Sequence, residues 1–272
     1  MDILKKENKV LLRELVITDF KMRYQGSILG HLWSILKPMM LFAIMFIVFM
    51  KFLKFGDNVP HFAVAMLLGA VIWNFFSEVV NMGMVSISNQ GGLLRKVAFP
   101  KYIIILSILI NALINLCINF FVVIIFGLFV KTDISILVLL TPLLLIELAM
   151  LSLGVAMILA TVYVKYRDIS PIWDVFLQGA FYGTPIIYPI YMIFHDKNLP
   201  VVAKAMMLNP IAQIIQDFRF LLTDHSSGKT LTSWNIASSH WFGLIPIVLV
   251  VVIFLLGIYI FNKNSCRFAE MV

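Results

Sequence analysis

YIIILSILINALINLCINFFVVIIFGLFV, residues 102–130, decides the fold. It is apolar apart from Ser107, Asn111, Asn115 and Asn119, and it exceeds the about 20 residues that a helix needs to cross a bilayer core. Five more stretches of this kind surround it, roughly 32–49, 62–85, 136–164, 172–194 and 241–261. Lipid offers no partner to a backbone N–H or C=O, so such segments are expected to be helices rather than loops or open strands. Composition agrees: 61% of residues are hydrophobic and 13% charged, and the mean hydropathy is +0.99. A water-soluble domain of 272 residues needs far more polar surface. The expected fold is all-α, a polytopic membrane protein with six transmembrane helices.

The whole chain, 1–272, reads as one membrane unit. A cytoplasmic N-terminal segment spans 1–31, spans one to five occupy 32–194, an external segment covers 195–240, and span six with a cytoplasmic tail fills 241–272. The net charge of +7 does not point to nucleic acid. With both termini in the cytoplasm, two thirds of the 21 Lys and Arg residues fall inside, as the positive-inside rule requires. Cys117 falls within span three and Cys266 in the tail, so no disulfide is expected. No cleaved signal peptide is expected either, because about 30 polar and amphipathic residues precede the first apolar run.

Residues 10–24 repeat Leu12, Val16 and Phe20 at four-residue spacing, with Arg13, Asp19 and Arg23 on other faces. This is an amphipathic helix, lying on the cytoplasmic membrane surface or packed on the transmembrane core. Gly26 and Gly30 break the pattern before Trp33, an interfacial anchor, and Lys37-Pro38. The 89–101 connection is basic and free of acids. In the turn between spans four and five, Ser170-Pro171 suits a helix start. In the external segment, Asn209-Pro210 reads as an N-cap and first helical position. Ile211, Ile214, Ile215, Phe218 and Leu222 then form one apolar stripe, on a helix too short to span and best read as interfacial or re-entrant.

Polar groups inside spans need partners. Asn74, Ser77, Glu78 and Asn81 share one face of span two, and Ser107, Asn111, Asn115 and Asn119 form a stripe on span three. Glu147, at matching depth, is expected to bond to that stripe as glue between helices. Span five differs: Asp174, Gln178 and Tyr182 recur on one face, which Pro185 extends, and Gly183-Thr184-Pro185 and Tyr188-Pro189 disturb the helix. Such a span lines a cavity when its freed carbonyls have partners other than lipid. Tyr182, Tyr188 and Tyr191 offer faces for sugar rings, although Tyr188 and Tyr191 also fit an ordinary aromatic belt. No catalytic residues and no metal-ligand spacing are found. Gly228-Lys229-Thr230 resembles the end of a phosphate-binding loop, but Thr223 stands where that motif needs glycine.

Several motifs, in order along nearly the whole chain, resemble the ABC-2-type permeases. Arg23-Tyr24-Gln25-Gly26-Ser27-Ile28-Leu29-Gly30-His31-Leu32-Trp33 through Lys37-Pro38 is similar to the approach to their first span. Leu93-Leu94-Arg95-Lys96 through Phe99-Pro100-Lys101 is similar to their first coupling segment. Tyr166-Arg167-Asp168-Ile169 and Thr184-Pro185-Ile186-Ile187-Tyr188-Pro189 resemble the stretch around span five, and Leu208-Asn209-Pro210 resembles their external re-entrant region. Within the family the chain looks closest to polysaccharide exporters, those for rhamnose-rich cell-wall polysaccharides first, with O-antigen and teichoic-acid permeases nearby.

The resemblance implies a multi-pass permease of the cell membrane that exports a lipid-linked polysaccharide. It implies two copies of this chain and two copies of a separate ABC ATPase, which binds the ATP and Mg; this chain carries no cofactor and is not itself an enzyme. Asp174, Gln178, Tyr182, Tyr188 and Glu78 become candidates for the substrate path. Lys21, Arg23 and Lys37 would attract the carrier's pyrophosphate, or serve topology and anionic-lipid contact. Leu94, Arg95, Lys96, Arg167 and Asp168 would receive the ATPase's movement. Two other readings remain open, a small-molecule exporter of the same superfamily and a membrane enzyme acting on lipid-linked sugars, for which Glu78 with Asp174 is the one candidate carboxylate pair.

Overall fold

The computed structural model describes residues 6–23, 26–27, 29–54, 59–96, 99–132, 135–195, 199–225, 227–236 and 240–268. The expectations for Tyr24, Gln25, Ile28 and the side chain of Lys96 lie outside the described residues. Among those described there is no strand. The helices are α1 (Lys6–Met22), α2 (Trp33–Met45), α3 (Phe62–Asn89), α4 (Gly91–Lys96), α5 (Tyr102–Val130) and α6 (Thr141–Lys165). After them come α7 (Ile169–Gly183), α8 (Ile190–His195), α9 (Pro200–Met207), α10 (Pro210–Leu222), α11 (Ser233–Ile236) and α12 (His240–Asn264). A π-helical stretch, Phe46–Phe52, prolongs α2, and a 3-10 turn, Ile136–Leu140, leads into α6.

Among the described residues, five segments are long and apolar enough to cross a membrane: Trp33–Phe52, Phe62–Asn89, Tyr102–Val130, Ile136–Lys165 and Trp241–Asn264. The second is the centre of the molecule, with 72% of its most apolar window buried against at most 22% in the others. Its neighbours are α5 and α6, and α12 packs on α6. Small residues set these spacings. A Cβ on Gly83 would lie 2.8 Å from that of Ala156, and one on Gly257 would lie 2.5 Å from the carbonyl oxygen of Gly154. Without side chains between them, helices in lipid gain dispersion contacts backbone to backbone. By contrast α2 buries only Phe42, which meets Phe126 of α5 edge-on at 5.7 Å. Of the two settings open to α1, packing is observed: it lies along α5, although none of its residues is fully buried.

The sixth expected span is not one helix. α7 stops at Gly183, residues 184–189 are irregular, and α8 restarts at Ile190. Pro185 and Pro189 have no N–H to give, and Thr184 before Pro185 takes the extended backbone that a following proline favours. The carbonyls thereby released are collected by Arg219 of α10. Its Nη1 donates to Pro185 O, its Nη2 to Ile186 O at 2.7 Å, and its Nε reaches across to Ala65 O of α3 at 2.9 Å. The guanidinium is buried, sits 5.5 Å from the Phe62 ring centroid, and fits only because residue 69 is glycine, where a Cβ would stand 2.8 Å from Nη2.

α10 matches its sequence pattern. The Asn209 side chain accepts from Ile211 N at 3.2 Å and also donates to Thr184 Oγ1 at 3.3 Å, while Ile211, Ile214, Ile215 and Phe218 are buried. Beyond it, Asp224 accepts from Ser227 N and Thr230 Oγ1. Gly228-Lys229-Thr230 thus belongs to a loop stapled by the Asp224 side chain.

Arg219→Gln strands at least one buried carbonyl and is expected to cost about 3 kcal/mol. Gly69→Ala, which pushes the same guanidinium aside, is expected to lower thermal stability in the same direction. Thermal unfolding of the purified chain in lipid nanodiscs measures both.

Candidate functional site

Between α2, α3 and α5 lies a cavity of about 330 Å³, lined by Arg23, Trp33, Lys37, Asn74, Glu78, Asn115 and Asn119 among others. Helical spacing builds it. Asn74 and Glu78 are one turn apart on α3, and Asn115 and Asn119 are one turn apart on the facing side of α5. Glu78 Oε1 accepts from Arg23 Nη2 in an ion pair and from Asn115 Nδ2 at 3.1 Å. Asn119 Nδ2 donates to Asn115 O at 2.8 Å and to Ser34 O at 3.4 Å, joining α5 to the start of α2. Lys37 is exposed and has neither hydrogen bond nor ion pair among the described residues. Two cations and one carboxylate therefore face one space.

A second cavity, of about 430 Å³, opens between α1, α3 and α5. Its walls are mainly apolar, with Asp19, Ser86, Asn89, Gln90 and Asn111 as polar points. Asn111 is buried, and neither of its amide atoms has a hydrogen-bond partner among the described residues. Burial raises the Asp19 carboxyl above its ordinary range, against the opposing pull of the Ser107 hydroxyl and Arg23. Arg23 is the residue common to the two cavities.

Three of the sequence candidates, Arg23, Lys37 and Glu78, thus meet. Lys21 does not join them; it is exposed on α1 and lines neither cavity. Asp174, Gln178 and Tyr182 share an exposed face of α7, flanked by Ile172, Val175 and Phe176, each more than half exposed. Only Leu177 of α7 is buried. Tyr188 is half-buried, and its hydroxyl donates to Tyr182 O at 2.8 Å, which ties the irregular segment back to α7. Glu78 and Asp174 do not form the carboxylate pair that an enzyme would need, since Glu78 is bound to Arg23 and Asn115 and Asp174 lines neither cavity.

Short connections and mutual packing of α3, α5 and α6 place the 90–101 link and the 166–168 turn at one end of the bundle. There Leu94 is buried as an anchor, while Arg95, Arg167 and Asp168 are exposed. Lys101 Nζ donates to Ser265 O, fastening the end of α12 to the same place.

Glu147 corrects one expectation. It does not bond to the asparagine stripe, which faces Glu78 instead; it faces Gln213 and Asp217 of α10. Matching depth in the bilayer left the direction around the helix open, and α6 turns this residue toward α10. Arg219 is the residue that sequence reasoning missed. The usable signal was a cation set beside the apolar stripe of α10, in a chain whose broken span needs donors. Glu147 Oε1 has no hydrogen-bond partner among the described residues and Asp217 is close by, so Glu147→Gln is expected to leave thermal stability unchanged or raise it. Asn115→Ala, which strips Glu78 of a donor, is expected to lower it by about 1–2 kcal/mol in the same unfolding measurement.

Residues 10–223 match the family described as ABC-2 type transporter. An O-antigen export system permease protein, RfbA, from Myxococcus xanthus is 30% identical over 79% of this chain and 81% of its own length. A protein of the same name from Klebsiella pneumoniae is 28% identical over the full length of both. A second from Klebsiella pneumoniae is 25% identical over 95% of this chain and 94% of its own. With its helices laid out as described and the family pattern running from α1 to the end of α10, the chain belongs to the ABC-2 type transporter membrane family.

Proposed function

We propose that this chain is the membrane subunit of an ATP-binding-cassette exporter that moves a lipid-linked cell-surface polysaccharide from the cytoplasmic to the outer face of the cell membrane. The observation that carries the reading is the cavity beside α2 where Arg23 and Lys37 meet, together with the fact that α2 and α7 bury almost nothing of themselves. A carrier phosphate is held there by charge-assisted hydrogen bonds. The O-antigen export relatives support a polysaccharide as the cargo.

The exposed apolar face of α7 supports a second copy of the chain as its cover, since a lone subunit in lipid has no use for Asp174 and Gln178 beside Val175 and Phe176. In this reading α7, the irregular turn and α8 together make the sixth crossing, and α7 lines a path in which Tyr182 offers its ring to sugars. Both termini lie in the cytoplasm. α1 sits at that interface, and α10 is an external re-entrant element. Two copies of a separate ATPase bind ATP and Mg and push on Leu94, Arg95, Lys96, Arg167 and Asp168.

ATP turnover by the purified chain, alone and co-assembled with its ATPase, tests the reading. No turnover alone and a several-fold rise of the complex's rate with lipid-linked polysaccharide is the expected result. Stimulation by small amphiphiles instead would replace the cargo, and no ATPase binding would end the exporter reading. For the pairing, Val175→Cys in a chain with Cys117 and Cys266 changed to Ser is expected to cross-link two copies in membranes, while Val10→Cys in the same background is not.

A further inference from the structure

We propose that Glu78 is the resting occupant of the phosphate position on Arg23, and that this competition lets the transporter tell a diphosphate carrier from the phosphodiester lipids around it. The inference rests on the export reading above and adds the residue that sets its selectivity.

An acidic residue beside a site for an anion looks out of place until its partners are counted. Glu78 is held from two sides, by Arg23 of α1 and by Asn115 of α5. The Arg23 and Glu78 side chains are 19% and 25% exposed, so the pair is reachable from the cavity rather than sealed in the core. When Arg23 leaves, the Asn115 amide stays on the carboxylate, so Glu78 is not abandoned. Arg23 has two spaces to move in, because its side chain lines both cavities. Lys37, on the wall of the first cavity, waits without a partner among the described residues.

The physics of the exchange favours a highly charged anion. A guanidinium presents a planar fork to a carboxylate and to a phosphate alike, so the two compete for the same donors. A phosphodiester headgroup carries one negative charge, as Glu78 does, and gains little by displacing it. A diphosphate that joins lipid to sugar carries two negative charges and more acceptor oxygens, and it engages Lys37 as well as Arg23. A bare arginine at this depth would instead be occupied continually by headgroups, since these greatly outnumber the carrier. Glu78 therefore acts as a threshold on Arg23.

The test uses the permease–ATPase complex in phosphatidylcholine nanodiscs, with labelled farnesyl pyrophosphate as probe and phosphatidylglycerol as the phosphodiester competitor. In the unaltered complex, phosphatidylglycerol is expected to leave probe affinity nearly unchanged. Glu78→Gln, which keeps the shape but not the charge, is expected to bind the probe about tenfold tighter in phosphatidylcholine and to lose that gain when phosphatidylglycerol is added. Arg23→Gln is expected to lose affinity in both lipids, and the double variant to match Arg23→Gln alone.

Glu78→Asp, with its charge retained, is expected to keep the discrimination, which separates masking from a folding defect. Unchanged or weaker probe binding in Glu78→Gln, while Arg23→Gln weakens it, would overturn the proposal and leave the export reading intact. Equal binding of farnesyl pyrophosphate and uncharged farnesol by the unaltered complex would remove the phosphate site itself, and this proposal with it.

Discussion

A broken helix in a membrane protein releases carbonyls that need donors, and one side of this protein is organised around answering them. Pro185 and Pro189 make the break, and the Arg219 guanidinium, placed by α10, closes it while also holding Ala65 of α3. The other features near it follow from that placement. Gly69 leaves the room, Phe62 gives a ring beside the charge, and Asn209 both starts α10 and bonds to Thr184 at the break. No carboxylate pairs with Arg219 among the described residues; its charge is spread over three main-chain dipoles. Dipoles suit this task because they come with the backbone and add no second ion to desolvate.

Around Arg23 the problem is different, how to hold a cation in a membrane protein with a counter-charge in reach. Arg23 is neutralised by Glu78, and Glu78 is steadied by the asparagine stripe of α5. That stripe does two kinds of work along its length. Ser107 bonds to Ile104 O and lies against Asp19 of α1, Asn115 and Asn119 join helices, and Asn111 has no partner for either amide atom among the described residues at the wall of the second cavity. A polar row on a helix is therefore not one feature, and the residues that look alike in sequence differ in what faces them.

This explains which parts of the fold and site were legible beforehand. Apolar length gave the uninterrupted spans, because bilayer thickness acts on each segment separately and asks nothing of its neighbours. The Asn209 cap and the stripe of α10 were legible for the same local reason, and so was the disturbance at 183–189. What local pattern does not encode is direction around a helix axis in the assembled bundle. Glu147 was therefore set against the wrong helix, and the partners of Glu78 were unknown although Arg23 and Lys37 could be grouped by their closeness in sequence. Arg219 reaches residues about 30 and 150 positions earlier, so its role was visible only once α3, α7 and α10 had been brought together.

The contact of Gly154 with Gly257 bears on how such a protein moves. Where two backbones touch with nothing between them, one helix cannot slide or turn without collision, so α6 and α12 behave as a single plank. α3 is bound to that plank through Gly83 and Ala156, which extends it into a three-helix stator. α2, with one buried residue, and α7, also with one, sit at its margins with the fewest contacts to hold them in place. In the export reading proposed above, work delivered at the 90–101 link and the 166–168 turn swings α2 and α7 against this frame.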